Sequence, residues 1–255
     1  MSKRPLTAGL TMLALIGATV VPSAQADPAA VVEPVVLAEM PHDPQAFTQG
    51  LELHGSTLYE GTGLAGESQL RMLDPASGEV RGAVAIPGDY FGEGITVVGD
   101  RIWQLTYRDG VAVEWDGATL TPIREVPLAD EGWGLCFDGQ RLIRSDGTNR
   151  LRFSDPDDMT ETGGVGVTRD GHALNGLNEL ECVDGKVWAN VWPGDQIVRI
   201  DPDTGAVDLV VDAAGLRARG IPAGAQVLNG IAHISGNEYL LTGKDWPKMF
   251  RVSIG

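Results

Sequence analysis

An acid, several amides, a base and a set of large aromatics recur at matching points of a long rhythm in this chain. Gln49, Glu93, Trp133, Glu179 and Asn229 each open a short apolar segment, and they fall 44, 40, 46 and 50 residues apart. A second series, counted to the end of the next apolar segment, gives Gly63, Tyr107, Gly147, Trp192 and Lys244. A repeat kept only for packing would hold similar apolar residues in equivalent slots. These slots instead hold Glu93, the amides Gln49, Asn178 and Asn229, Lys244 and the rings of Tyr107, Trp133 and Trp192. Aromatic walls with a few convergent polar groups are the usual make-up of a small-ligand pocket. Such a pocket requires an architecture that gathers positions far apart in the chain.

The segments around those residues supply it. Each anchor, FTQGL, FGEGI, GWGL, LNELE or LNGIA, is followed by an apolar strand, a turn glycine (Gly55, Gly99, Gly139, Gly185, Gly236) and a second apolar strand. Asp74, Asp116, Asp155 and Asp201 then mark a further hairpin in four of the units, and nothing beyond turn formation is assigned to Asp74 and Asp201. Four strands in roughly 40 to 50 residues make one propeller blade, because one twisted sheet buries both faces only when neighbours stack on it. Five units predict an all-β, five-bladed β-propeller. The last unit ends at RVSIG after three strands, while Val31 to Ala38 precedes the first anchor without a partner. That N-terminal strand is expected to close the fifth blade and leave no open edge. The first strand of each blade lines the tunnel, and its hairpin sets its start beside the end of the second, so both residue series face one mouth.

Residues 1–26 carry Lys3 and Arg4, an apolar run from Leu10 to Val21, and Ala24-Gln25-Ala26. This is the pattern of a cleaved export signal, so a single propeller domain over 27–255 and a periplasmic or secreted location are expected. The apolar run is short of the ~20 residues of a membrane span, and no stable membrane insertion is expected after cleavage. The formal charge is −16, and the loss of Lys3 and Arg4 makes it −18. An acidic surface repels phosphate, which argues against nucleic acid as a partner. Cys136 and Cys182 each lie three residues before a turn glycine in consecutive units. An export route permits a disulfide between adjacent blades, and two separately buried thiols are an equally natural outcome.

Familiar catalytic signatures are missing. His42, His54, His172 and His233 are scattered with no metal-ligand spacing, and the chain has no GxSxG elbow and no phosphate loop. Individual residues keep structural readings: Glu93 as a cap for backbone groups in the tunnel, Lys244 as a surface turn residue, Trp103 and Trp188 as packing between blades. Glu179 and Glu181 are expected on alternate sides of their strand, with at most one facing the tunnel and the other in a structural hydrogen bond.

The ordered motifs FTQGL, EGTGL, FGEGI, QLTY, GWGL, SDGTNRLRF, NELE, ANVW, LNGIA and TGKDWP, from about Pro41 to Val252, resemble the plant and bacterial type of glutaminyl-peptide cyclotransferase. The resemblance implies a five-bladed propeller that converts an N-terminal glutamine of a peptide or protein to pyroglutamate with release of ammonia, using no cofactor or catalytic metal. Carried over motif by motif, it implies Glu93 as the acid/base with Lys244 and Asn178 beside it. Phe47, Gln49, Tyr107, Trp133 and Trp192 would hold the substrate. Tyr107 departs from the tryptophan the family usually has after QLT, which bears on substrate preference. A structural calcium ion in the tunnel is left open, and a monomer is expected. Two other readings stand beside this one: a non-catalytic ligand-binding propeller, and a calcium-dependent lactonase-like propeller with Glu93, Asn178, Glu179 and Asn229 as ligands.

Overall fold

The structure, a computed structural model, describes Met1 and residues 28–255, so the export signal assigned to residues 1–26 falls, Met1 apart, outside the described residues. The regular elements of the described residues are nearly all strands, apart from a short 3-10 helix at Ala214–Arg219, and they gather into five blades arranged as a β-propeller. The innermost strands are Thr48–His54, Gly92–Val98, Leu135–Phe137, Leu177–Val183 and Leu228–Ser235. Each pairs with the next strand in sequence: Thr57–Thr62, Arg101–Thr106, Leu142–Arg144, Lys186–Val191 and Glu238–Gly243. The turn glycines Gly55, Gly99, Gly139, Gly185 and Gly236 all have positive φ, as tight connections demand. Among the described residues, no helix is long and apolar enough to cross a membrane.

The N-terminal stretch closes the ring but is divided. Val35–Pro41 pairs antiparallel with Lys248–Ser253 and completes blade five. Ala30–Val32, just upstream, instead runs parallel to Val207–Asp212 as a fifth strand of blade four. The physical reason is Pro34, which has no N–H to donate and biases Glu33 toward a turn or extended break. One segment therefore ties two blades together.

Apolar residues fill the spaces between adjacent sheets. Trp103 is fully buried and its indole N–H donates to the Pro156 carbonyl of the next blade at 3.0 Å. Trp188 stacks 4.9 Å from Tyr239 of blade five, so both tryptophans pack between blades as expected. Cys136 and Cys182 form a disulfide between the inner strands of blades three and four, with 5.4 Å between their Cα atoms. Asp74 and Asp201 accept backbone N–H bonds from the residues two and three further on, the ordinary work of turn aspartates. Around the axis the inner strands approach to backbone contact: a Cβ on Gly134 would stand 2.0 Å from the Asn178 carbonyl oxygen, so only glycine fits.

Candidate active site

The inner strands do not start as regular ladders. In blades one, two, four and five the register with the second strand slips at the first residues, around Gln49, Glu93–Gly94, Asn178–Glu179 and Asn229–Gly230. Bulges of this kind bend a strand end and re-aim its side chains. Here they turn Gln49, Glu93 and Asn178 into one cavity at the mouth of the ring.

That cavity, of about 170 Å³, is lined by Phe47, Gln49, Phe91, Glu93, Tyr107, Trp133, Asn178, Trp192 and Lys244. All eight residues expected from sequence therefore meet at one place. The aromatic rings form a continuous arc: Phe47 to Phe91 at 6.0 Å, Phe91 to Tyr107 at 5.7 Å, Tyr107 to Trp133 at 6.3 Å and Trp133 to Trp192 at 6.0 Å between centroids. These spacings are those of mutually supporting edge-to-face and tilted pairs. Trp192 is 48 % exposed and forms the outer lip. Tyr107 occupies its slot in the arc, with the Arg108 guanidinium 4.5 Å over its ring.

Phe91 was not singled out from sequence, although a signal exists. It precedes Glu93 by two residues, as Phe47 precedes Gln49, and Glu131 stands two before Trp133. Glu131 has a supporting role there: one oxygen accepts from the Trp133 indole N–H at 3.0 Å and the other from Arg108 at 2.6 Å. The indole is thereby pinned against rotation.

Polar groups form a relay around the floor. Asn229 donates to the Gln49 side-chain oxygen at 3.0 Å, and Gln49 donates to Glu93 Oε1 at 3.0 Å. Glu93 is 4 % exposed, and its Oε2 has no hydrogen-bond partner among the described residues. Burial pushes the Glu93 carboxyl well above the usual carboxylate range; the Lys244 charge opposes the rise and Glu131 adds to it. Burial likewise lowers the Lys244 ammonium, and Glu93 opposes that shift. The ammonium lies 4.9 Å over the Phe47 ring, so Lys244 is a buried pocket residue rather than a surface one. Its loop is fixed from two sides: the Asp245 N–H donates to the Ala46 carbonyl at 2.9 Å, and His42 Nδ1 meets the Trp246 carbonyl at 2.8 Å. His42 also pairs with Glu60 at 2.8 Å.

The NELE carboxylates correct an expectation. Glu179 accepts the backbone N–H groups of Leu51 and Ile231 at 3.3 and 2.9 Å, and Glu181 accepts that of His233 at 2.9 Å. Both point to the tunnel, because residues two apart on a strand share a face. With Glu52, which accepts the Val97 N–H at 2.9 Å, they satisfy donors that the inner strands direct toward the axis. Glu179 thus has a backbone donor on each of its two oxygens. Among the described residues no group of three or more His, Cys, Asp or Glu is arranged to hold a metal ion.

A five-bladed propeller with an acid, amides and a lysine enclosed by aromatic rings at one mouth defines a class of axial-pocket propeller proteins, and comparison narrows it. Residues 9–254 match the family model described as glutamine cyclotransferase. A glutaminyl-peptide cyclotransferase of Arabidopsis thaliana is 40 % identical over 226 residues, covering 86 % of this chain and 70 % of the relative. The crystal structure of Myxococcus xanthus glutaminyl cyclase superposes with a TM-score of 0.82 at 36 % identity, covering 88 % of this chain and 97 % of that one. The chain belongs to the glutamine cyclotransferase family, and that family is one of enzymes.

Proposed function

We propose that this protein cyclises N-terminal glutamine residues of peptides to pyroglutamate by carboxylate catalysis, with release of ammonia. Glu93 carries the reading: a buried carboxylate with one oxygen anchored by Gln49 and the other unpartnered, in a cavity that admits about one residue. The free α-amine of the glutamine attacks its own side-chain amide carbon, forming a C–N bond and a tetrahedral centre. In its ionised form Glu93 takes the proton released by the attacking nitrogen. It returns that proton to the departing nitrogen as the original C–N bond breaks and ammonia leaves.

The aromatic arc folds the substrate side chain back toward its amine, which makes ring closure an event between groups already in contact. Lys244 and Asn178 stand beside Glu93 to polarise the amide oxygen as negative charge develops, and the relay from Asn229 through Gln49 holds the carboxylate still. No cofactor is assigned a role in this scheme. Export to the periplasm or medium is part of the proposal, supported by the N-terminal pattern and by the Cys136–Cys182 disulfide, which suits an oxidising compartment.

Replacing Glu93 by Gln keeps the shape and the bond from Gln49 while removing the shuttle. Mass spectrometry of a Gln-initiated peptide should show the loss of one ammonia slowed by roughly 10²- to 10⁴-fold relative to wild type. Near-normal turnover by Glu93→Gln would refute the assignment.

A further inference from the structure

The inner cavity takes a single residue, so the rest of a peptide substrate must leave through the mouth. Trp133 is the wall between that cavity and a second depression of about 630 Å³, bordered by Arg108, Asp130, Glu131, Asp146, Thr148 and Arg152. The inner cavity, at about 170 Å³, falls below the usual range of small-ligand sites and the outer one lies within it. The two share Trp133, whose indole is held by Glu131 from the groove side. A chain passing over the Trp133 edge would run directly into this groove.

The groove's cations are already committed. Arg152 bonds Asp146 at 2.8 Å, Asp130 at 3.0 Å and Glu161 at 3.2 Å, so three carboxylates share one guanidinium. Arg108 is bound to Glu131, and buried Arg144 is spent on the Ala129 and Glu131 carbonyls and on Glu161. Of the residues that line the groove, three carboxylates, Asp130, Glu131 and Asp146, thus face two guanidiniums, Arg108 and Arg152. The Asp130 side chain is 61 % exposed at the rim and can reach an incoming group.

We propose that this groove receives the residues that follow the N-terminal glutamine, and that its carboxylate excess selects cationic over acidic side chains there. The inference rests on the cyclisation reading and extends it to the second and third residues of the peptide. An exposed ion pair of this kind corresponds to roughly a two- to five-fold effect, screened by salt.

The test compares kcat/KM for glutaminamide, Gln-Lys-Gly-amide and Gln-Glu-Gly-amide at low and high ionic strength, in wild type and in Asp130→Asn. Asn is chosen because Asp130 has a φ of 62°, a conformation that asparagine tolerates well. The expected result is a preference for the Lys peptide of about two- to five-fold at low salt that shrinks at high salt and in the variant. Equal values for the two peptides in wild type, or a preference that Asp130→Asn leaves intact, overturns the groove assignment while glutaminamide turnover keeps the cyclase reading. Absence of turnover for all three substrates overturns both.

Discussion

Gly147 offers a direct way to move one wall of the pocket without touching a polar group. Its φ is +77°, and a Cβ built there would lie 2.7 Å from Cζ2 and 2.8 Å from Cη2 of Trp133. Reaching the 3.4 Å of ordinary contact from 2.7 Å requires a shift of about 0.7 Å, which the indole must supply because Glu131 and the Tyr107 and Trp192 rings constrain where it can go. Displacement of a positioning group by about 1 Å can cost up to ~10²-fold in rate. Gly147→Ala is therefore expected to lower kcat/KM by roughly 10- to 100-fold. A backbone penalty of about 1–2 kcal/mol accompanies it, because alanine is strained at positive φ. That penalty corresponds to about 2–8 °C in Tm for a domain of this size. Gly139→Ala separates the two effects: its φ is +92°, yet nothing lies within 4 Å of the added Cβ. It should show a comparable fall in Tm with wild-type kinetics. Steady-state assays and thermal unfolding of both variants check this. Wild-type kcat/KM in Gly147→Ala would show that the Trp133 position does not govern ring closure.

Lys244→Met removes the charge that holds the Glu93 carboxyl down, so the rising limb of the kcat/KM profile should move to higher pH; an unmoved or lowered limb contradicts the coupling. The disulfide closes a span of 46 residues, for which loop entropy estimates a contribution of about 4 kcal/mol. Cys136→Ala/Cys182→Ala should accordingly lose on the order of 10 °C in Tm, and a loss under about 2 °C would deny the disulfide that role. Burial raises Glu52 to about 7, with Glu179 and Glu181 raised in the same tunnel. A carboxyl whose folded pKa is raised binds its proton more tightly when folded, so its stabilisation is complete below the ordinary value of 4.5 and lost as pH rises through about 7. Urea unfolding should show stability falling from pH 5 to 8 by up to about 3 kcal/mol, and Glu52→Gln should flatten that slope; a slope unchanged in the variant would exclude Glu52 as its source.

Much of the site was legible because a propeller converts sequence repetition into rotational symmetry. Residues at the same slot of each unit arrive at the same height around one axis, so Gln49, Glu93 and Asn178 could be placed at a single mouth by counting alone. The same counting sets Phe47 beside Phe91, yet Phe91 went unnoticed because an aromatic before a strand reads equally well as packing. Glu131 was hidden for a different reason: its partners, the Trp133 indole and Arg108, lie on its own loop and on the end of the preceding blade, a pairing that no spacing encodes.

By itself the chain's order determined the number of blades, the turns, the existence of a closing strand and the identity of most pocket residues, since these follow from local patterns repeated at a near-constant interval. Tertiary structure decided what depends on distances across the ring. It chose the disulfide over two separate thiols, because the inner strands of blades three and four bring the Cα atoms to 5.4 Å. It divided the N-terminal stretch between two blades at Pro34, and it turned Glu179 and Glu181 together into the tunnel, where backbone donors of neighbouring blades await acceptors. Local propensity specifies a strand, but only closure of the ring specifies which unpaired backbone groups remain to be satisfied at its centre.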